Sequence, residues 1–216
     1  MPKRTTVYID GFNLYYGALK GTPYKWLNIQ TLWDRVLSSV YQVAAVKYFT
    51  AKVADSPQNP GIAQRQQTYL DAVAENCPRV EAFKGDYSRK RKRMEHASPP
   101  PDTVEVWCNE EKGSDVNLAV HMLNDAWKDA CDVAVVVSND ADLLTAVELT
   151  AARGKEVVLI VPGHNHKKTP KRRPLSELKG AAHHTRMLRD SALGQSQLPN
   201  PIQKKGGGII SKPVGW

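Results

Sequence analysis

Four aspartates in this 216-residue chain have types and positions that could do chemistry. Asp10 follows the apolar run Val7-Tyr8-Ile9, and Asp140 and Asp142 follow Val135-Val136-Val137 within Ser138-Asn139-Asp140-Ala141-Asp142. Asp115 shares a helical face with Ala119, Met122 and Ala126, which recur at the spacing of helix turns. Carboxylates gathered at one point repel, so either some hold protons at raised pKa or a divalent cation neutralises them. Oxygen-only ligands suit hard ions, Mg²⁺ or Mn²⁺, and such ions serve phosphodiester hydrolysis. Taken singly, each acid has an ordinary use: turn chemistry for Asp10-Gly11, a helix-dipole partner for Asp115, a helix cap for Asp140 and Asp142. The set means more only if the fold brings its members together.

The elements that must do so can be read from the pattern. Strands are expected at 5–9, 44–53, 80–87, 103–108, 133–137 and 156–161, and helices at 13–20, 29–41, 62–76, 115–128 and 141–152. Ser114 is the expected N-cap of the 115–128 helix, and Gly154 is placed to end the 141–152 helix. This alternation implies an α/β fold with a mainly parallel sheet covered on both faces, in which 133–161 is a right-handed βαβ unit. Ligands in such sheets bind beyond the carboxyl ends of the strands, so Asp10, Asp140 and Asp142 would share one rim with Asp115 leaning toward it.

Other segments frame that core. Residues 88–102 hold Arg89-Lys90-Arg91-Lys92-Arg93 and Ser98-Pro99-Pro100-Pro101, and read as an exposed excursion. Residues 1–163 read as the domain and 164–216 as a basic extension, with one helix in 164–190 and a tail from 191. That extension carries eleven Lys/Arg against Glu177 and Asp190, a net of +9, which leaves the first 163 residues at −1 within a total of +8. A field of this sign favours polyanions, nucleic acid before anionic membrane. No run approaches the roughly 18–20 apolar residues of a membrane span, and the first residues show no leader pattern. A cytoplasmic protein is therefore expected. Cys77, Cys108 and Cys131 are too scattered for a zinc site or a disulfide framework and read as reduced thiols.

Three motifs resemble a known family. Val7-Tyr8-Ile9-Asp10-Gly11-Phe12-Asn13-Leu14 is similar to the opening motif of the NYN domain, in the LabA-like branch of the PIN-like nuclease superfamily. Glu111-Lys112-Gly113-Ser114-Asp115-Val116-Asn117-Leu118 resembles its second motif and Ser138-Asn139-Asp140-Ala141-Asp142-Leu143 its third, in family order, over roughly residues 5–163. The resemblance implies a PIN-like Rossmannoid three-layer fold with a mainly parallel central sheet. It further implies Mg²⁺- or Mn²⁺-dependent cleavage of RNA, with single strands the expected substrate and Asp10, Asp115, Asp140 and Asp142 as metal ligands directly or through water. Asn13 and Ser138 are then helpers that orient a water or a phosphate.

The basic runs lie outside the family signature. Beside an acidic nuclease site, Arg89, Lys90, Arg91, Lys92 and Arg93 become candidate RNA contacts, with Lys112, Lys171, Arg172 and Arg173; solvated charge is the plainer use of each. Lys167 and Lys168 belong to the same group as the last three. Tyr87 and Trp107 flank the first run and could stack on bases, although hairpin packing is the common role of such residues. His164, His166, His183 and His184 read as surface histidines. Two rival functions stay open: an RNA-binding regulatory module with weak or no cleavage, and a metal-dependent phosphatase for small phosphoesters. The RNA target, the number of metals, the pathway and a homo-oligomeric state are open as well.

Overall fold

A strand that is apolar at every position must be covered on both faces, and β5 (Val133–Val137) is buried along its whole length. The computed structural model describes residues 1–163 and 174–216, with only the backbone described at 109 and 111. β5 lies between β1 (Lys3–Asp10) and β6 (Glu156–Val161). Beyond β1 come β2 (Tyr41–Ala51), β3 (Val80–Glu95) and β4 (Thr103–Lys112), and beyond β6 comes β7 (His184–Met187), giving the order β4-β3-β2-β1-β5-β6-β7. Every neighbouring pair is parallel except β3 and β4.

The pleat divides the core in two. Val7, Ile9, Val133, Val135, Val137, Val158 and Ile160 face one cluster. Tyr8, Ala134, Val136, Val157, Leu159 and Val161 face the other. The first is closed by α1 (Gly11–Leu14), which runs on into a π-helical turn over Tyr15–Leu19, and by α2 (Ile29–Val36) and α3 (Ile62–Asn76). The second is closed by α4 (Ser114–Trp127), α5 (Leu144–Ala152) and α6 (Ser176–Ala181). The result is the three-layer α/β fold that the motif resemblance implied. Trp26, Trp33, Ile29 and Leu32 are each at most 1% exposed, and full burial of such a side chain stabilises by ~1.5–3 kcal/mol.

Several expected elements change. The 88–102 excursion is instead a two-stranded ribbon: β3 continues to Glu95 and pairs antiparallel with β4 from Asp86↔Lys112 to Glu95↔Thr103. A continuous basic run does not oppose a strand when both faces meet water, and Pro99, Pro100 and Pro101 sit in the connecting turn, where no ladder bond is lost. The helix expected over 29–41 stops at Val36; Leu37 donates its N–H to Trp33, and Tyr41 already begins β2. Gly113, not Ser114, caps α4, at a positive φ of 93° that glycine tolerates.

The largest change is at the end of the chain. β6 is not the last strand, because β7 extends the sheet beside it. Nor is 191–216 a tail: Leu193 in α7 (Asp190–Gly194), Leu198, and Ile202 and Ile210 in the small pair β8 (Ile202–Gln203) and β9 (Ile209–Ile210) are buried in the first cluster. Their spacing matches neither period 2 nor 3.6, so no pattern announced them. Cys77 and Cys131 are buried free thiols and Cys108 is partly exposed; burial pushes the Cys77 thiol up to about 11.

Candidate metal and nucleic-acid site

Asp10 is the last residue of β1 and the N-cap of α1, where its carboxylate accepts the Asn13 N–H at 2.8 Å. Its second oxygen accepts the Ser138 hydroxyl at 2.9 Å. Ser138, wholly buried beyond the end of β5, also receives the Asp140 N–H on its Oγ at 3.1 Å. Asp140 in turn caps a short 3₁₀ turn by accepting the Asp142 N–H at 3.1 Å. A chain of hydrogen bonds therefore fixes Asp10 against Asp140 across two adjacent strand ends. Asn13 ties the same ends again, its Oδ1 accepting the Asn139 N–H at 3.3 Å.

Asp115 enters from the third direction, in the first turn of α4, where the helix dipole favours a negative charge. One carboxylate oxygen from each of Asp10, Asp115 and Asp140 lies within 4.8 Å of the others. Asp10 is only 4% exposed. Burial raises its pKa; the hydrogen bonds from Asn13 and Ser138 pull it back only in part, and the charge of Asp140 pushes it up further. Asp142 is exposed and is not among the three converging acids.

Gly11 is needed for a reason the Asp-Gly pair did not disclose. A Cβ there would meet the Phe49 carbonyl oxygen at 2.6 Å and the Tyr48 ring at 2.9 Å. Its role is close approach of α1 to β2, since its φ is not in the left-handed region. Asn139 was given no role of its own in the sequence, yet its side chain accepts the Leu175 N–H at 3.0 Å and so braces the segment ahead of α6. Its place within the third motif was the only signal.

The basic candidates divide by place. Arg89, Lys90, Arg91, Lys92 and Arg93 all lie on the ribbon strand β3. Arg91 pairs across from Trp107, which is 58% exposed. The Arg89 and Arg91 guanidinium groups sit 4.6 and 5.6 Å from its ring centroid. Trp107 is thus an exposed ring with two cations against it, and not hairpin core. Lys92 and Lys112 lie near Glu110, Lys92 in a close ion pair and Lys112 at 3.8 Å. Tyr87 is partly buried on the same strand. Lys167, Lys168, Lys171, Arg172, Arg173, His164 and His166 lie outside the described residues. His183 accepts the Val157 N–H at 3.1 Å, and His184 lies 3.6 Å from Glu156.

Two strand ends and one helix start that bring three buried or half-buried carboxylates together on a mainly parallel sheet define an α/β protein with an acidic rim. Within that class the chain belongs to the NYN domain family, which matches residues 4–185. It is 32% identical over 242 aligned positions to a Pseudomonas putida (strain DSM 28022 / S16) protein named 6-hydroxy-3-succinoylpyridine 3-monooxygenase HspA, covering 100% of this chain and 76% of that one. Among solved structures it resembles a protein of unknown function from Vibrio parahaemolyticus RIMD 2210633. The TM-score is 0.52 at 16% identity, over 88% of this chain and 94% of that one, a likeness of fold.

Proposed function

We propose that this protein is a metal-dependent ribonuclease that hydrolyses RNA phosphodiester bonds at the aspartate cluster. The observation that carries the reading is the convergence of Asp10, Asp115 and Asp140 within 4.8 Å, in a family of PIN-like nucleases. The donor set fits a divalent cation: all three ligands are carboxylates, and the charges acting most on Asp10 include that of Asp140 but no basic side chain. Mg²⁺ and Mn²⁺ match such a set. When bound, the ion draws phosphate oxygens and makes water a better nucleophile.

The chain's own residues supply the rest. Asp10, Asp115 and Asp140 hold the cation. Ser138 and Asn13 lock the Asp10 carboxylate by hydrogen bonds from both sides. We assign Asp142 contact through water, in keeping with its exposure. Arg89, Arg91 and Trp107 offer a stacking platform for single-stranded RNA, with Lys90, Lys92, Arg93 and Lys112 nearby in sequence and Lys171, Arg172 and Arg173 as further phosphate contacts. A cytoplasmic location belongs to the same proposal; no helix among the described residues is long and apolar enough to cross a membrane.

Labelled single-stranded RNA and a small aryl phosphate, each incubated with Mn²⁺, test it. RNA cleavage abolished by chelator and by Asp140→Asn is expected. RNA binding by folded protein without metal-dependent cleavage overturns it in favour of a regulatory module. The name of the Pseudomonas relative, 32% identical across this whole chain, supplies a second reading, oxygenation of a substituted pyridine. Consumption of 6-hydroxy-3-succinoylpyridine with oxygen and a reductant, without RNA cleavage, would put that reading in its place.

A further inference from the structure

We infer that a second site adjoins the aspartates: a pocket that binds one planar aromatic ring carrying an anionic group. The cavity measures about 350 Å³, and its lining includes Gly11 and Phe12, the residues directly after Asp10. That volume lies at the small end of ligand pockets, roughly 300–1,000 Å³, and admits a single nucleotide or a single substituted ring.

The walls are aromatic. Tyr15, Tyr16, Tyr48, Tyr69 and Trp216 all line it. Tyr69 and Trp216 meet with ring centroids 5.6 Å apart, so the last residue of the sequence closes a wall begun by α3. Tyr16, 54% exposed, stands edge-on to Tyr15 at 5.2 Å. Rings set at angles around an open volume offer faces and edges to a further ring, which fits a flat guest better than an aliphatic one.

The charge is one-sided. The lining includes two cationic side chains, Lys25 and Arg65, and no acidic side chain. Each is held by carbonyl groups: Lys25 donates to the Gly215 oxygen at 2.9 Å and Arg65 to the Pro60 oxygen at 2.8 Å. Burial and the positive charges of Arg65 and Lys212 disfavour the Lys25 ammonium. Asp55 is the carboxylate that feels the Arg65 charge, but it is not part of the lining, so two cations on the wall favour an anionic guest over a neutral one. An anionic arm is therefore assigned to Lys25 and Arg65, the cations of the lining, and not to the aspartates.

Two sources share this chemistry: a nucleotide unit of a nucleic acid, and a free aromatic acid. The inference stands apart from the cleavage reading, because binding needs neither metal nor turnover. Calorimetric titration of the full chain in chelator tests it with adenosine 5′-monophosphate, uridine 5′-monophosphate, 6-hydroxypyridine-3-carboxylate, and the ring-free control ribose 5-phosphate. At least one aromatic anion is expected to bind tenfold or more tightly than the control, and Arg65→Gln and Tyr16→Ala are each expected to weaken it about tenfold. Melting curves verify that both variants fold, and Tyr16, being largely exposed, is the safer of the two. Binding of nucleotides alone assigns the pocket to nucleic acid, and binding of the pyridine alone assigns it to a small aromatic acid. Three results overturn the inference: no aromatic anion binds, the control binds as tightly, or both folded variants bind like the parent.

Discussion

Asp10 holds a charge that its surroundings disfavour. Burial, and then Asp140, raise its pKa against the hydrogen bonds that lower it. In the unfolded chain an aspartate titrates near 3.9. Between that value and the higher folded one, the folded state binds the proton and the unfolded state does not, so stability falls as pH rises through this interval and stays lower above it. In chelator, Asp10→Asn is therefore expected to melt above the parent at neutral pH, with the advantage shrinking as pH falls toward 4. Mn²⁺ should reverse the order. A ligand that binds only the folded state at 100 times its Kd adds ~2.7 kcal/mol, and the variant has lost one of the carboxylates that would hold it. Melting curves across pH, with and without Mn²⁺, check both signs, and equal melting points at neutral pH in chelator would remove the strain argument.

The elements position the acids through contacts of their own. α4, which carries Asp115, is pinned to the sheet where Lys47 of β2 and the Tyr8 hydroxyl of β1 both reach Asp125, at 2.6 and 2.8 Å. All three groups are largely buried. Lys47→Met would leave Asp125 without its ion-pair partner, a loss of ~3–5 kcal/mol; chemical denaturation should read this as a lower midpoint with an unchanged slope. The ribbon of β3 and β4 has a binding role to test. In an Asp140→Asn background, Trp107→Ala is expected to cost ~1–3 kcal/mol of single-strand RNA affinity. Arg89→Ala, by contrast, should lower the salt slope of binding by about 0.7 if it meets one phosphate. Anisotropy titrations at several salt concentrations separate the two. The sheet's centre and its acidic rim were legible in the sequence, because Val7-Tyr8-Ile9 and Val133–Val137 are apolar runs that end in acid. The ribbon was not, since Arg89 to Arg93 carry no apolar alternation to mark a strand whose two faces both meet water. The exposed place of Asp142 was equally hidden: two acids one residue apart read alike until a tight turn aims them differently.

At the scale of the whole molecule, the segment after Met187 anchors itself in the core by a few side chains. Leu188, Leu193, Leu198, Ile202 and Ile210 are at most 5% exposed, and Trp216 packs on Trp26 and Tyr69 with ring centroids 6.4 and 5.6 Å away. Trp26 also donates its indole N–H to the Pro199 carbonyl at 3.0 Å, and Asn28 donates its backbone N–H to Ser196 at 2.8 Å. The segment thus covers the side of the first cluster that α2 and α3 leave open. Each buried aliphatic side chain contributes ~1.5–3 kcal/mol, so five of them rival the ~5–15 kcal/mol by which a domain is stable at all. A chain cut after Met187 keeps Asp10, Asp115, Asp140 and Asp142, every motif and all seven strands of the main sheet, and is still expected to lose cooperative unfolding and expose Trp26 and Trp33 to solvent. Removing only Val214, Gly215 and Trp216 is the milder case: the fold should survive with a lower melting point, while the wall that Trp216 forms is lost. Thermal unfolding and tryptophan emission distinguish the outcomes, and a stable, native-like protein cut after Met187 would show that the segment merely rests on the fold.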